Sequence, residues 1–380
     1  MTAEVKKHGM GTELVAPTWA TLSKEVVERL LPYYEQFQQV EKIEWHSPRP
    51  FSSAAIVHID GTRYFVKRHA AVLRNEQGLL EEHAALQHLA ANGIPVTQLV
   101  KGKGGQTAFQ LDDWTYEMHF IGKGVDMYRD AISWSPFSSQ HHAYAAGEML
   151  AKVHDAMESF HTTKRSIQPL VSDFTIFMND DPLRAVEEFT EGRPGLAEYL
   201  QKRPWREDFQ LILMPYYEAF KPYKSALKPL YTHNDWHASN LLWSDTSETA
   251  HVETVLDFGL SNVTNAMYDL ATALERNVVK WLEIKDPHAR VIDVDAAVAL
   301  LSGYVAVRPL SQQEKHALVT ILPIVHTDFA LSEVDYFMRI TNVEANADEA
   351  YYTFLLDHAT WFQSEQGQQL LTAIRQALNI

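Results

Sequence analysis

The 380-residue chain contains no cysteine. Disulfides, thiolate metal sites, iron–sulfur clusters and cysteine nucleophiles are therefore excluded. Any metal must be held by oxygen or imidazole, which favours magnesium, calcium or manganese. Positive charge is also short: 33 Lys and Arg stand against 49 Asp and Glu, a net charge of −16 with histidine neutral. So acidic a chain is poorly suited to nonspecific binding of nucleic acid or an anionic membrane, and neither is expected as a partner. No run approaches the roughly 20 apolar residues of a membrane span, and "ALVTILPIV" (317–325) reads as core helix. The opening residues carry no apolar stretch of signal-peptide length, so a cytoplasmic location is expected. Repeats and low-complexity tracts are absent.

What is present is 46% hydrophobic residues in a length that suits two lobes. Residues 1–20 read as an N-terminal extension. "TLSKEVVERLLPYYEQF" (21–37) spaces Val26, Val27, Leu30 and Leu31 along one helical face. "SAAIVHIDGTRYFVKRH" (53–69) predicts two strands around an Asp60-Gly61 turn. "NEQGLLEEHAALQHLAANGIPV" (75–96) predicts a helix stopped by Gly93 and Pro95. Residues 98–120 predict three short strands; the glycines of "KGKGG" (101–105) precede a strand and read as a turn, not a phosphate cradle. After Gly124, segments 138–160, 182–201, 206–227, 264–284, 293–304, 311–341 and 345–379 favour helix. A strand pair, "NLLWS" (240–244) and "HVETVLDF" (251–258), interrupts them. The expected class is α+β: a small antiparallel-sheet lobe with one long helix over 21–121, and a larger, mainly helical lobe over 122–380. A cleft between two such lobes is the expected site.

"YTHNDWHASNLLW" (231–243) packs histidines, an aspartate and asparagines among apolar residues. Polar groups that dense are costly to bury unless paired. Asp235 and Asn240 sit five apart, just before a strand; Asp257 ends the partner strand in "VLDFG". A hairpin brings its outer ends together, so Asn240 and Asp257 offer hard oxygens suited to magnesium. Asp235 is placed to accept a proton from a hydroxyl. The spacing H-x-D-x-x-x-x-N followed by D-F-G serves phosphoryl transfer.

No A-P-E element follows Asp257; Tyr268-Asp269-Leu270-Ala271 comes instead. With His233, Asp235, Asn240 and Asp257, this resembles the aminoglycoside phosphotransferase-like (choline/homoserine kinase-like) small-molecule kinases, with Asn234 where that family has glycine. The resemblance runs from about Thr21 to about Lys280. It implies a bilobal protein-kinase-like fold, ATP and Mg²⁺ as cofactors, and a small hydroxyl-bearing acceptor: amino alcohol, sugar, amino sugar or aminoglycoside. Asp235 is then the base, and Asn240 and Asp257 are the metal ligands. Lys67, in "RYFVKRH", takes the phosphate-binding lysine's place, with Glu82 (or Glu81) as its partner. "RPFSSAAIV" occupies the phosphate-covering loop, with Ser52 and Ser53 as contacts. Met118, His119 and Phe120 would offer backbone to the adenine edge. His154 of "GEMLAKVHDA" reads as a hydrogen-bonded structural histidine, and His233 as a buried loop anchor. For the acceptor, Trp236 and His237 of the loop, and Asp328, Glu333 and Asp335 of "HTDFALSEVDYF" (326–337), are candidate contacts. Two other readings stand beside this one. One is a nucleotide-binding pseudokinase with a regulatory role. The other is a metal-dependent hydrolase built on His233 and His237, with His326 and His358 as further ligands. ATP against GTP and the oligomeric state are not legible.

Overall fold

The computed structural model describes residues 18–47, 51–129, 131, 134–166 and 169–380. Most of the N-terminal extension expected over 1–20 lies outside them. Two compact units form. The smaller holds the described chain up to Lys123 with 165–166 and Thr254–Leu256; the larger holds Gly124–Lys164, Pro169–Glu253 and Asp257–Ile380.

In the smaller unit, β1 (Val40–His46), β2 (Ser53–Ile59), β3 (Thr62–Ala70), β4 (Ala108–Leu111) and β5 (Trp114–Phe120) make one sheet in the order β1-β2-β3-β5-β4. All four neighbouring pairs run antiparallel. The β2–β3 turn is Asp60-Gly61, both with positive φ (48° and 77°), which a two-residue hairpin of this hand requires. Val40, Val57, Val66, Phe109, Tyr116 and Met118 fill one core against this sheet. β1 was not anticipated, because "VEKIEWH" is an edge strand burying little beyond Val40 and carries too few apolar residues to show alternation. The helix α2 (Glu76–Ala91) starts where the Asn75 side chain accepts from Gly78 N at 2.8 Å, and Gly93 follows its end with φ 79°. The helix expected over 21–37 is cut to α1 (Lys24–Glu28) and a 3-10 turn at Leu31–Tyr33. Pro32 lacks the N–H that a longer α-helix needs. The first strand expected within 98–120 shrinks to a bridge between Leu99 and His119.

The larger unit is mainly helical. Its helices are α3 (Gln140–Met157), α4 (Pro182–Thr190), α5 (Pro194–Gln201), α6 (Trp205–Asp208), α7 (Met214–Phe220), α8 (Ala266–Val278) and α9 (Val294–Val307). There follow α10 (Gln312–Ile321), α11 (Thr327–Tyr336), α12 (Glu344–Asp348), α13 (His358–Trp361) and α14 (Glu365–Leu378). Two short strand pairs interrupt them: β6 (Leu230–Thr232) with β9 (Asn262–Thr264), and β7 (Leu241–Trp243) with β8 (Val252–Val255), a strand that the division into units cuts after Glu253. Three residues are too few to reveal a period of two, so β6 and β9 went unread. The stretch Gln312–Thr341 is long and apolar enough to cross a membrane, but most of it is buried inside this unit as core. Every residue of α8 is buried, which makes it the axis of the unit. The helices α3 and α9 meet almost backbone to backbone: a Cβ at Gly147 would stand 2.0 Å from Leu300 O, and one at Gly303 2.0 Å from Tyr144 O. That contact brings His154 of α3 beside Tyr304 of α9, and through His154 it reaches the site.

Candidate active site

The loop from His233 to Asn240 is held mainly by α8. Asn265 caps that helix by accepting from Tyr268 N at 2.8 Å. In its first turn, Asp269 accepts from His233 N and Asn234 N, both at 2.8 Å, one on each carboxylate oxygen. His154 Nε2 donates to the same carboxylate at 3.0 Å, and His154 Nδ1 lies 2.8 Å from Tyr304 Oη. At the far end of α8, Asn277 accepts from Ala238 N at 3.0 Å and donates to Trp236 O at 2.8 Å. The loop is thus gripped on both sides of Asp235 by backbone hydrogen bonds, which side-chain substitution within the loop leaves in place. Asn234 adopts φ 65°. Asparagine tolerates this left-handed conformation better than other side-chain-bearing residues, which explains why it can stand where the resembling kinases have glycine.

Asp235 sits at the middle of the grip. Arg276 Nη2 lies 3.4 Å from its Oδ1, and His237 Nε2 lies 3.5 Å from its Oδ2. Its own N–H donates to His233 Nδ1 at 3.2 Å. Burial opposes ionisation, but the positive potential of His237, Arg276 and His233 outweighs it and holds the carboxyl well below the usual carboxylate range. Asn240 Nδ2 donates to Asp235 O at 2.9 Å and to Asp235 Oδ2 at 3.1 Å. Those bonds fix the amide and turn its oxygen away from Asp235 as a free acceptor. Asn240 leads straight into β7 and Asp257 follows β8, so both belong to the open end of one hairpin. Asp257 is exposed, with φ 51° and Gly259 N donating to its Oδ1 at 3.2 Å. An oriented amide oxygen and an exposed carboxylate are a donor set that fits Mg²⁺.

Around Asp235 stand groups that the sequence alone did not single out. Arg276 and Glu275 come from the last turns of α8, and both are buried. Burial pushes Glu275 up, with Arg276 and His326 opposing and Asp235 adding. Burial likewise pushes Glu333, on α11, up to about 8; Arg276 opposes, while Asp235 and Glu275 add to the rise. A carboxyl raised in the fold contributes stability fully below its unfolded pKa, and that contribution is lost as pH rises through the folded value. Glu333→Gln should therefore gain Tm over the wild-type chain at about pH 9 but much less at about pH 5. Thermal melts at the two pH values check this; equal shifts would contradict the placement of Glu333.

Of the other acceptor contacts expected from sequence, Trp236 is fully buried, its ring 5.2 Å edge-on to His233. His237 is buried with Ser239 Oγ at 2.8 Å from Nδ1. Asp328 is occupied by Thr175 N (2.6 Å), Thr175 Oγ1 (3.1 Å) and Ile176 N (3.2 Å), which makes it a backbone anchor. Asp335 accepts from Leu196 N at 3.1 Å in the first turn of α5. Of the three acidic α11 candidates, Glu333 is the one tied electrostatically to Asp235. The hydrolase reading fails on grouping: among the described residues His326 and His358 cluster with Glu275, and neither His233 nor His237 joins a metal-competent group.

In the smaller unit, Lys67 is buried on β3, opposite Glu117 of β5. Glu82 is buried and paired with Arg165 Nη2 at 3.4 Å, while Arg165 also donates to Gly78 O at 2.8 Å. Glu81 accepts from Ser166 N at 3.0 Å. Arg165 was invisible to sequence reading because it lies far along the chain from α2. Ser52 is partly exposed just ahead of β2. Ser53 donates its hydroxyl to Ala20 O at 2.6 Å, so that hydroxyl is not available to a phosphate. The backbone expected at the adenine edge is largely occupied: Met118 O accepts from Val100 N (2.8 Å), Phe120 N donates to Gln98 O (2.9 Å), and His119 pairs with Phe65 in the ladder. A sheet ladder on both sides of β5 leaves Met118, His119 and Phe120 poorly placed for that role.

The chain matches the phosphotransferase enzyme family over residues 50–310. It is 29% identical over 328 residues to the homoserine kinase of Methylobacillus glycogenes, covering 83% of this chain and 88% of that one. It is 28% identical over 252 residues to the homoserine kinase of Granulibacter bethesdensis, covering 66% of this chain and 67% of that one. Among solved structures, an aminoglycoside phosphotransferase from Alicyclobacillus acidocaldarius aligns with a TM-score of 0.55 at 17% identity, over 97% of this chain and 99% of that one. The microcompartment-associated aminopropanol kinase aligns with a TM-score of 0.56 at 13% identity, over 92% and 98%. At such identities these structures show a shared kinase-like fold, an antiparallel-sheet part followed by a helical part. With the family match spanning most of its length, the chain belongs to the phosphotransferase enzyme family and is a small-molecule kinase.

Proposed function

We propose that the protein moves the γ-phosphate of ATP, with Mg²⁺, to the hydroxyl of a small amine-bearing acceptor of the homoserine type. One observation carries the reading: Asp235 is pinned by Asn240 and flanked by Arg276, in a loop gripped at both ends by α8. A carboxylate so held can orient an acceptor hydroxyl and take its proton late in the transfer. In a loose phosphoryl transition state, positioning and charge neutralisation do most of the work. Asn240 Oδ1 and the Asp257 carboxylate are the groups that would hold Mg²⁺, which would supply charge neutralisation on the phosphates. Lys67 would bind the α/β-phosphates with Glu82 as its partner, Glu82 itself being paired with Arg165. Adenine contact falls to the chain beyond Phe120. A cationic acceptor beside Glu333 and Glu275 would draw these raised carboxyls into their ionised form, and Arg276 can meet a carboxylate on it. The homoserine kinase relatives support an amino-acid acceptor over a sugar. A kinase that draws on ATP suits the cytoplasm.

A coupled ADP-release screen over homoserine, amino alcohols, sugars and aminoglycosides tests the acceptor. Homoserine or a related amino alcohol should lead; turnover confined to sugars would overturn the acceptor class. Asp257→Ala should abolish Mg²⁺-dependent turnover, with no rescue by excess Mg²⁺. Turnover at a normal Mg²⁺ optimum in this variant would remove Asp257 from the metal set.

A further inference from the structure

Glu117 is fully buried in the middle of β5, and three imidazoles from three elements converge on it. His83 of α2 and His119 of β5 bring their Nε2 atoms to 2.8 and 2.9 Å from Glu117 Oε2. His69 of β3 brings Nε2 to 2.9 Å from Oε1. All three histidines are buried. The ligand atoms of His83, Glu117 and His119 all lie within 4.8 Å of one another.

Three donors meet two carboxylate oxygens, so one oxygen takes two of them. What goes beyond the needs of a buried carboxylate is the hold on the far side of two rings. His83 Nδ1 lies 2.8 Å from Thr107 Oγ1, and His119 Nδ1 3.3 Å from Thr97 Oγ1. Outer hydrogen bonds of this kind fix the tautomer and ring orientation of metal-ligating histidines. His69 plays the matching part for the carboxylate, holding its second oxygen.

We propose that His83, His119 and Glu117 form a structural site for a borderline-soft divalent ion of the zinc class, with His69 steadying Glu117 or completing the set. Imidazole selects such an ion over Mg²⁺. Binding needs no net proton loss. Each ring moves its proton from Nε2 to Nδ1, and the threonine oxygen changes from donor to acceptor. Ligand atoms around a tetrahedral zinc stand roughly 3.3 Å apart, so the cluster must open by about half an ångström. The ion would tie α2 to β3 and β5. The site lies beside the proposed phosphate-binding residues, since Lys67 stands opposite Glu117 and Glu82 precedes His83, so its test reads metal binding and not turnover.

The test uses the full chain, stripped by chelator and held in excess Mg²⁺ so that hard-oxygen sites are filled. Zn²⁺ and Co²⁺ are then titrated separately. One Zn²⁺ per chain should survive gel filtration, Tm should rise on zinc binding, and Co²⁺ should develop visible d–d bands of a four-coordinate, nitrogen-ligated ion. The H83Q/H119Q double variant should lose all three, and His251→Gln, on an exposed residue of the larger unit, should keep them. Should the double variant fail to fold, residue-assigned nitrogen-15 spectra of the wild-type imidazoles decide: zinc must shift the Nε2 signals of His83 and His119, not those of His326 and His358. A wild-type chain that retains no zinc, a folded double variant that retains it unchanged, or unshifted imidazole signals would each overturn the proposal.

Discussion

Asp235→Asn is expected to lower kcat by roughly 10²–10⁴-fold, the usual weight of a positioned general base. The isosteric amide keeps the bulk of the side chain and can still meet Asn240, so the loop geometry is preserved. What is lost is the negative charge beside Arg276 and His237, and with it the proton acceptor. ATP affinity should stay close to the wild-type value, because no proposed nucleotide contact is touched. Steady-state kinetics and ATP titration on the same preparation check this. The wild-type carboxyl is held well below the usual range. Its charge is therefore present throughout the neutral range, and no acid limb near the ordinary carboxylate pKa should be seen in kcat. Such a limb would contradict the lowered carboxyl, whereas an Asn variant with wild-type turnover would remove Asp235 from the chemistry.

Asp269→Ala is expected to be the most damaging change to the larger unit. Its carboxylate accepts two backbone N–H groups and one imidazole, all within a fully buried site. Each buried donor left without a partner costs about 1–3 kcal/mol. With three donors released, the loss approaches the whole stability of an ordinary domain, about 5–15 kcal/mol. Denaturant unfolding should show a large fall in midpoint, or little folded protein. Asp269→Asn retains one acceptor oxygen and should fold, but with a loosened catalytic loop and a lower kcat. Wild-type stability in the Ala variant would mean that the loop is held by other contacts.

The two replacements separate what sequence could and could not reveal. The D-x-x-x-x-N spacing and the Tyr268-Asp269-Leu270-Ala271 run are local, so they were legible as strings. The Asp60-Gly61 hairpin and the Asn75-capped helix were legible because turn and cap chemistry are local too. The α+β class followed from strands early and helices late. By contrast, Arg276 and Asn277 lie in a helix whose every residue is buried, where apolar periodicity cannot single out a polar side chain. Residue type marks Trp236 and Asp328 as candidate acceptor contacts, whereas the full burial of Trp236 and the backbone bonds to Asp328 Oδ2 exist only in the fold. The left-handed turn at Asn234 is likewise a property of φ, not of the string. His69, His83 and His119 come from a strand, a helix and another strand, and no spacing rule joins them before the sheet is formed.

The central claim is transfer of the γ-phosphate to an acceptor hydroxyl with Asp235 as base. Phosphorus NMR of the chain with ATP, Mg²⁺ and L-homoserine tests it most directly. A phosphomonoester resonance should grow in step with ADP and should be nearly lost in Asp235→Asn. ADP appearing only with inorganic phosphate, for homoserine and for every other alcohol offered, would contradict the account.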